Sequence, residues 1–327
     1  MQISLIKPGV LSTIQDLGRQ LYRAQAVPVS GAIDRLSARI ANKAIGNKDS
    51  DAVIEFTYAD VEFKVETDVL IALSGEGAIL TVDGNKLPSN RPLFIPAGAL
   101  VKLISTPKGS RSYLSVAGGW QAPEVLGSKS TYLTAGFGAK VIKAGIILTS
   151  EPQISELSKI LFNQLNGTHV NYPNWSIAQQ LLLPINTKNI RIVPGQEFTW
   201  FDSSSIIDFL STAYVLSRDY NRMGYRLEGK AIERIKKREL LSTAVTAGTI
   251  QVAGDGKMIL LMADCQTTGG YPRIAQVAAV DLPLCGQLKP GDHIHFNEIS
   301  MQEAEMLYLE QEKQLHKLTI AIANKFL

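Results

Sequence analysis

Cysteine is scarce in this chain of 327 residues: only Cys265 and Cys285 occur. With no CxxC spacing and no framework for disulfides, a reducing compartment is expected, and the cytoplasm is the simplest one. No stretch approaches the ~20 consecutive apolar residues needed to span a bilayer, and the opening MQISLI reads as a strand without a basic leader. No membrane is therefore expected as a partner. Charge is balanced at 33 Lys and Arg against 30 Asp and Glu, a formal +3. No basic stripe interleaved with aromatics appears, so no nucleic acid is expected either. Of the four histidines, only His293 and His295 are close. Without a nearby set of Cys, Asp or Glu, they predict no metal.

Standard catalytic signatures are missing as well. There is no GxxxxGK[ST] phosphate loop, no HExxH and no GxSxG, and both GEGAIL and GFGAKV fail GxGxxG at the last glycine. Cys265 could in principle be a nucleophile, but no histidine sits in a motif to serve it. A small buried residue is the better reading.

What the chain does have is apolar content, 45% hydrophobic against 19% charged, enough for a sizeable core and, on length, for two domains of about 100–200 residues each. Between Val53 and Val116 short strands alternate with turns, VIEF, VEFKV, VLIAL, AILTV, LFI, LVKLIS and RSYLSV, with Asp83-Gly84 a hairpin signal. A helix over Asp34–Ile45 precedes them, ending at Gly46-Asn47. A second connecting helix is placed by Ile154, Leu157, Ile160, Leu161 and Leu165. Strands resume at IRIVPG and recur near Ala213–Leu216, Thr249–Val252, Met258–Met262, Ile274–Val280 and His293–Phe296, with a short helix around Ile206–Leu210. Ser300 with Glu303 is a capping box, and the stretch after it lacks Gly and Pro, which predicts a long terminal helix packing through Leu307, Leu315, Leu318 and Ile322. The expected architecture is mainly β: a β-barrel lobe over 1–150, a helical junction over 151–185, a second β-barrel lobe over 186–299, and a C-terminal helix over 300–327.

Five segments are polar where a scaffold alone needs no polarity. Gln266–Pro272, QTTGGYP, follows the apolar run Met258–Ala263 and sets the hydroxyls of Thr267 and Thr268 and the ring of Tyr271 around Gly269 and Gly270, where backbone can approach a bound group closely. Gln15-Asp16-Leu17-Gly18-Arg19 joins an amide, a carboxylate and a guanidinium. Ser30-Gly31-Ala32-Ile33-Asp34 precedes the first helix, where Ser30 or Asp34 serves as a cap or the first-turn amides hold an anion. Arg222 and Arg226, four apart across Gly224, suit a carboxylate or phosphate, or form surface ion pairs. Ala117-Gly118-Gly119 with Leu126–Thr131 supplies a second glycine turn with hydroxyls and a cation.

In this order, VLSTIQDLGR, SGAIDRLSARIANKAIGN, YLSVAGGW, VLGSKSTY, SRDYNRMGYRLEG, AGTIQV and LMADCQTTGGYPRIAQVAAVDLP resemble the biotin-dependent carboxyltransferase family. That family includes allophanate hydrolase subunit 2 and, as its most similar free-standing members, the C subunits of 5-oxoprolinase. The resemblance implies two cyclophilin-like barrel lobes with a few helices. It further implies a complex with A-like and B-like 5-oxoprolinase subunits that uses ATP to open the lactam of 5-oxo-L-proline to L-glutamate. Two other activities occur among relatives: transfer of a carboxyl group from biotin to urea or another small amide, and non-catalytic antagonism of a kinase inhibitor that resembles the B subunit. On the first, Arg222 or Arg226 is expected to bind the substrate carboxylate or a phosphate. Thr267, Thr268, Gly269 and Gly270 would face the lactam oxygen, Gln15 and Asp16 would orient substrate or water, and Ser30, Asp34 and Tyr271 would line the pocket. The ATP site is expected on this chain or shared with a partner. No Met-Lys-Met attachment sequence occurs, so no covalently attached biotin is expected. The chain departs from the family pattern at Lys129, where arginine is usual, and at Ala139 and Lys143–Ile146, which replace a glycine-rich stretch.

Overall fold

A computed structural model describes residues 1–182, 188–235 and 239–326; the last residues of the expected junction, 183–185, and Leu327 lie outside them. Among these residues the chain forms two compact units. The first takes Met1–Arg19, Asp34–Leu182 and Gln314–Leu327, and the second takes Gln20–Ile33 and Leu183–Lys313.

The first unit folds as two antiparallel sheets around one core. Six strands run in the spatial order Ile147–Thr149, Gln2–Pro8, Asp60–Val65, Leu100–Ser105, Ala78–Val82, Asn85–Leu87. Five more run Leu11–Gln15, Val53–Thr57, Arg111–Val116, Val69–Ser74, Leu93–Ile95. Alternation dictates which face turns inward: in Asp60–Val65 the buried set is Val61, Phe63 and Val65, as a period of two requires. The Asp83-Gly84 turn has φ of 48° and 83° and joins Val82 to its partner Asn85, the backbone that a two-residue hairpin with both central φ positive needs.

The five-stranded sheet departs from simple amphipathicity. One face supplies Ile14, Ile54, Phe56, Leu114 and Val116 to the core. The other carries Thr13, Glu55, Tyr113 and Ser74 as a row of directly paired residues, each no more than 1% exposed. Helix α1, Arg35–Ala44, packs against this sheet: Ser115 Oγ donates to the Ala41 carbonyl at 2.8 Å. Tyr113 Oη donates to Glu55 at 2.8 Å and accepts from the Asp34 amide at 2.8 Å. Burial, with the Glu55 and Asp34 carboxylates beside it, pushes the Tyr113 phenol well up, so it stays a protonated donor. Helix α2, Glu156–Leu165, is capped by Ser155.

The second unit is a closed barrel of seven strands: Asn189–Pro194, Arg273–Val277, Thr249–Val252, Met258–Leu261, Gly224–Glu228, Tyr214–Tyr220 and His293–Glu298. Parallel pairing of the first with the last closes it. Ile190, Ile192, Tyr214, Leu216, Tyr225, Leu227, Ile250, Leu260, Ile274 and Phe296 fill its interior. Helix α3, Ser203–Ser211, covers one side with Phe209, whose ring lies 4.8 Å from that of Phe296.

Two expectations shift. The strand expected over Ile274–Val280 ends at Val277, because the chain turns at Ala279–Asp281 into α4, Leu282–Gln287, and Asp281 there accepts two bonds from the Arg191 guanidinium. Gly224–Glu228, singled out in the sequence only for Arg222 and Arg226 on either side of Gly224, is a barrel strand with Tyr225 and Leu227 inward and Arg226 outward. Helix α5, Met301–Phe326, starts as the capping box requires, with Ser300 Oγ accepting from the Glu303 amide at 3.1 Å. Of its expected contacts, Leu315 and Ile322 are buried, Leu318 is half-buried, and Leu307 packs on Ala278, Val280 and Ile299.

Glu197 staples the Phe198–Trp200 turn to the barrel. Its oxygens accept from Arg273 Nε and Nη2 at 2.7 Å each and from the Arg273 amide at 3.1 Å. Burial opposes its ionisation, but the Arg273 hydrogen bonds and charge outweigh that and hold the carboxyl below the usual glutamate range. A depressed carboxylate contributes stability that is present above its unfolded value, about 4.3, and lost as pH falls through the folded one. Glu197→Gln should therefore flatten the acid limb of stability below about pH 4.3 in urea unfolding. An unchanged slope would show that the staple carries none of it.

Candidate functional site

Of the two arginines, either of which was expected to bind the anion, only Arg226 lies in the strand Gly224–Glu228. Arg222 precedes it and is 6% exposed; Nε and Nη2 form a fork on Asp264 at 2.8 and 2.9 Å, and Nη2 also donates to the Gly31 carbonyl at 2.6 Å. Asp264 also accepts from Ser30 Oγ at 2.7 Å. Ser30 sits at φ +58°, a conformation that costs free energy outside glycine, and both its side chain and its amide, bonded to the Ala263 carbonyl at 3.0 Å, hold it there. Ser30 and Arg222 thus meet in a buried clamp around Asp264, a residue that no sequence motif singles out.

Arg226 lies on the outer face, and its guanidinium is solvated beside Asp219 at 2.8 Å. It lines a cleft of about 230 Å³ with Asp219, Asn221, Gln251, Ile259, Gln266 and Tyr271 among others. Tyr271 is 48% exposed there. From the Gln266–Pro272 segment Gln266 and Tyr271 line the cleft, and the segment is held by a two-residue ladder in which Thr243 pairs with Gly269 and Ala244 with Thr268. Neither Gly269 nor Gly270 has positive φ. Glycine is needed at 269 for close approach, since a Cβ there would lie 2.7 Å from Gln251 Nε2. Thr267 is buried and its carbonyl accepts from the Val245 amide, so Thr268 carries the exposed hydroxyl of the pair.

The remaining expected residues belong to the first unit. Asp16 is fully engaged by its own neighbourhood: its carboxylate accepts from the Gly18 amide, Ser128 Oγ and the Lys129 amide, all at 2.7 Å, and from Ser130 Oγ. Gln15 is completely buried, and its Nε2 donates to Thr13 Oγ1 and the Thr131 carbonyl. Its Oε1 has no partner among the described residues. Asp34 is the N-cap of α1, accepting from the Ser37 amide at 2.8 Å and Ser37 Oγ at 2.6 Å. Lys129 donates its ammonium to Glu151.

Burial lifts the Cys265 thiol to about 11, which leaves no thiolate to attack anything. His293 and His295 both point outward, and among the described residues no group of three His, Cys, Asp or Glu could hold a metal. A larger cleft of about 770 Å³ lies elsewhere on the barrel, walled mainly by Val193, Val245, Ala275, Val277, Met301 and Tyr308. It is mainly apolar; of the two arginines that line it, Arg273 is met by Glu197 and Arg23 donates to the Val245 carbonyl at 2.7 Å. No helix among the described residues is long and apolar enough to cross a membrane.

The family model for the carboxyltransferase domain, subdomains A and B, matches residues 25–298. The C subunit of 5-oxoprolinase from Escherichia coli is 34% identical over 326 residues, covering 99% of this chain and 99% of the relative. Urea amidolyase of Saccharomyces cerevisiae is 28% identical over 334 residues, which is 97% of this chain but only 18% of the yeast protein. The crystal structure of Kluyveromyces lactis urea carboxylase superposes with a TM-score of 0.85 at 26% identity, covering 97% of this chain and 29% of that one.

Because Asp264 is the fork's partner, Asp264→Asn leaves a buried guanidinium short of a countercharge and should cost about 3–5 kcal/mol in urea unfolding. Arg226→Gln, which removes a solvated pair, should change stability by less than about 1 kcal/mol. Equal effects would contradict the division between the two arginines.

Proposed function

Since the chain belongs to the carboxyltransferase domain family, subdomains A and B, we propose that it is the C subunit of a cytoplasmic, ATP-dependent 5-oxoprolinase. In that complex, A-like and B-like partner subunits join it to open the lactam of 5-oxo-L-proline to L-glutamate. The observation that carries this reading is the 34% identity to the C subunit of Escherichia coli 5-oxoprolinase over 326 residues, against 28% to the yeast amidolyase. The chain aligns end to end with a free-standing C subunit and covers 99% of it, whereas in the yeast amidolyase the matching stretch is 18% of a larger machine.

The Arg226 cleft suits the substrate. At about 230 Å³ it falls below the ~300–1,000 Å³ of sites for drug-sized ligands, and a five-membered ring bearing a carboxylate is correspondingly small. Arg226 offers the carboxylate a planar fork, exchanging Asp219 for the ligand. Tyr271 covers the ring. The exposed Thr268 hydroxyl and the Gly269–Gly270 backbone belong to the segment that brings Gln266 and Tyr271 to the cleft, and they are the donors assigned to the lactam oxygen, where fixed donors stabilise developing charge. Arg222 serves the site indirectly, by holding Asp264 and thereby the start of the Gln266–Pro272 wall. In the first unit Gln15 is completely buried and Asp16 has committed its oxygens to the Gly18 amide and the 128–130 segment, so neither is assigned a role in this cleft.

A nucleotide does not fit the smaller cleft, and the larger one is mainly apolar, with Arg273 held by Glu197 and Arg23 bonded to the Val245 carbonyl. ATP is accordingly assigned to one of the partners, where its hydrolysis supplies the driving force for ring opening.

A second reading, a carboxyltransferase that receives the carboxyl group from biotin on another protein and passes it to urea, is favoured by the urea amidolyase and urea carboxylase relatives. One reconstitution separates the two. With both partners present, glutamate should form from 5-oxoproline and ATP only when this chain is included. Arg226→Ala and Thr268→Val should lower kcat/KM about tenfold or more, the loss expected for a hydrogen bond to a charged or developing-charge group. Full activity without the chain, or wild-type rates in both folded variants, would overturn the proposal; carboxylation of urea by a carboxylated biotin partner would establish the second reading.

A further inference from the structure

Gln251 is 1% exposed yet lines the Arg226 cleft. It sits on the barrel's outer face between Ile250 and Val252, whose side chains point into the core. Register places it in one row with Ile259 and Arg226: Gln251 pairs with Ile259, and Ile259 with Arg226. Two strand spacings of about 4.8 Å set the Gln251 and Arg226 backbones roughly 10 Å apart, with the Ile259 side chain as an apolar floor between them. The amide's orientation is decided by its one partner. The Tyr271 carbonyl can only accept, so the end that meets it at 3.1 Å is Nε2. Gln251 Oε1 accepts no hydrogen bond among the described residues and is not sealed in the interior, so it is open to a donor entering the cleft.

We infer that Gln251 is a specificity-determining residue of this cleft, whose Oε1 accepts the ring N–H of a small cyclic amide while Arg226 takes its carboxylate. The inference rests on the proposed function for the identity of the substrate, but its content is narrower: the site selects an acid that carries an N–H donor. Gly269 is part of the device. Any side chain there would displace the Gln251 amide, since its Cβ would lie 2.7 Å from Nε2, so the glycine is needed for the acceptor to keep its place. The row also explains why the wall residue Tyr271 uses its carbonyl rather than its ring to hold the amide. The ring remains exposed to cover a ligand.

The test compares 5-oxoproline with 5-oxotetrahydrofuran-2-carboxylate, the lactone in which oxygen replaces the ring N–H. Binding of each to the full chain is followed by NMR titration, and kcat/KM for each is measured in the reconstituted complex. The wild-type chain should bind the lactam about tenfold more tightly than the lactone, the value of one hydrogen bond. Gln251→Leu should bring the two ligands to within about twofold of each other while its melting temperature reports that it is folded. A purely structural role for Gln251 would weaken both ligands equally and leave their ratio intact, which would overturn the inference, as would a wild-type chain that does not discriminate. Should the complex fail to turn over 5-oxoproline while the free chain still prefers the lactam through Gln251, the inference stands and the oxoprolinase reading falls. The reverse pattern, turnover with no discrimination, sinks the inference alone.

Discussion

The fork of Arg222 on Asp264 is the contact on which the second unit's arrangement depends. Both groups are buried, so the pair persists only because its geometry is complete: two guanidinium bonds to one carboxylate, a third to the Gly31 carbonyl, and the Ser30 hydroxyl on the remaining lone pair. A buried pair of this kind contributes little net stability against an apolar equivalent, but removing one partner is expensive. Its value is in register. Arg222 stands two residues before the strand Gly224–Glu228, and the Asp264 amide returns a bond to the Arg222 carbonyl at 2.8 Å. With that end pinned, Tyr225 faces the core and Arg226 faces solvent. A slip of one residue would exchange them, burying the charge and emptying the cleft.

The same strategy recurs in the first unit with different chemistry. There a sheet face that would ordinarily meet water is buried, and its polarity is absorbed by a chain of donors and acceptors running from Glu55 through Tyr113 to the Asp34 amide and on to Ser37 and Gln179. Every link has a defined donor because the Tyr113 phenol stays protonated. Satisfied networks of this sort rigidify what they touch. In this case they fix where α1 begins.

Much of the scaffold was legible in the sequence, and the reasons for the exceptions are physical. Asp60–Val65 and Met258–Leu261 announced themselves because an apolar face or run marks a strand whatever surrounds it. Gly224–Glu228 did not, because a glycine start and an outward arginine imitate a turn. The buried face of Thr13, Glu55 and Tyr113 reads in sequence as an ordinary solvated one, and only tertiary packing reveals otherwise. Of the expected site residues, Arg226 and Tyr271 line one cleft, but periodicity cannot tell a solvated guanidinium from a buried one, so Arg222 looked equivalent to Arg226. Asp264 carried a usable signal that was missed: a lone carboxylate between an apolar run and a buried cysteine must have a partner. Gln251 carried none, since its role comes from the approach of Gly269.

The central claim is that the two arginines divide the labour, with Arg222 holding the frame and Arg226 meeting the ligand. Arginine modification by phenylglyoxal, located by mass spectrometry with and without saturating 5-oxoproline, measures this most directly. The account predicts that Arg226 reacts and is protected by 5-oxoproline while Arg222 stays inert under both conditions. Protection at Arg222, or reaction at Arg226 that 5-oxoproline does not slow, would contradict it.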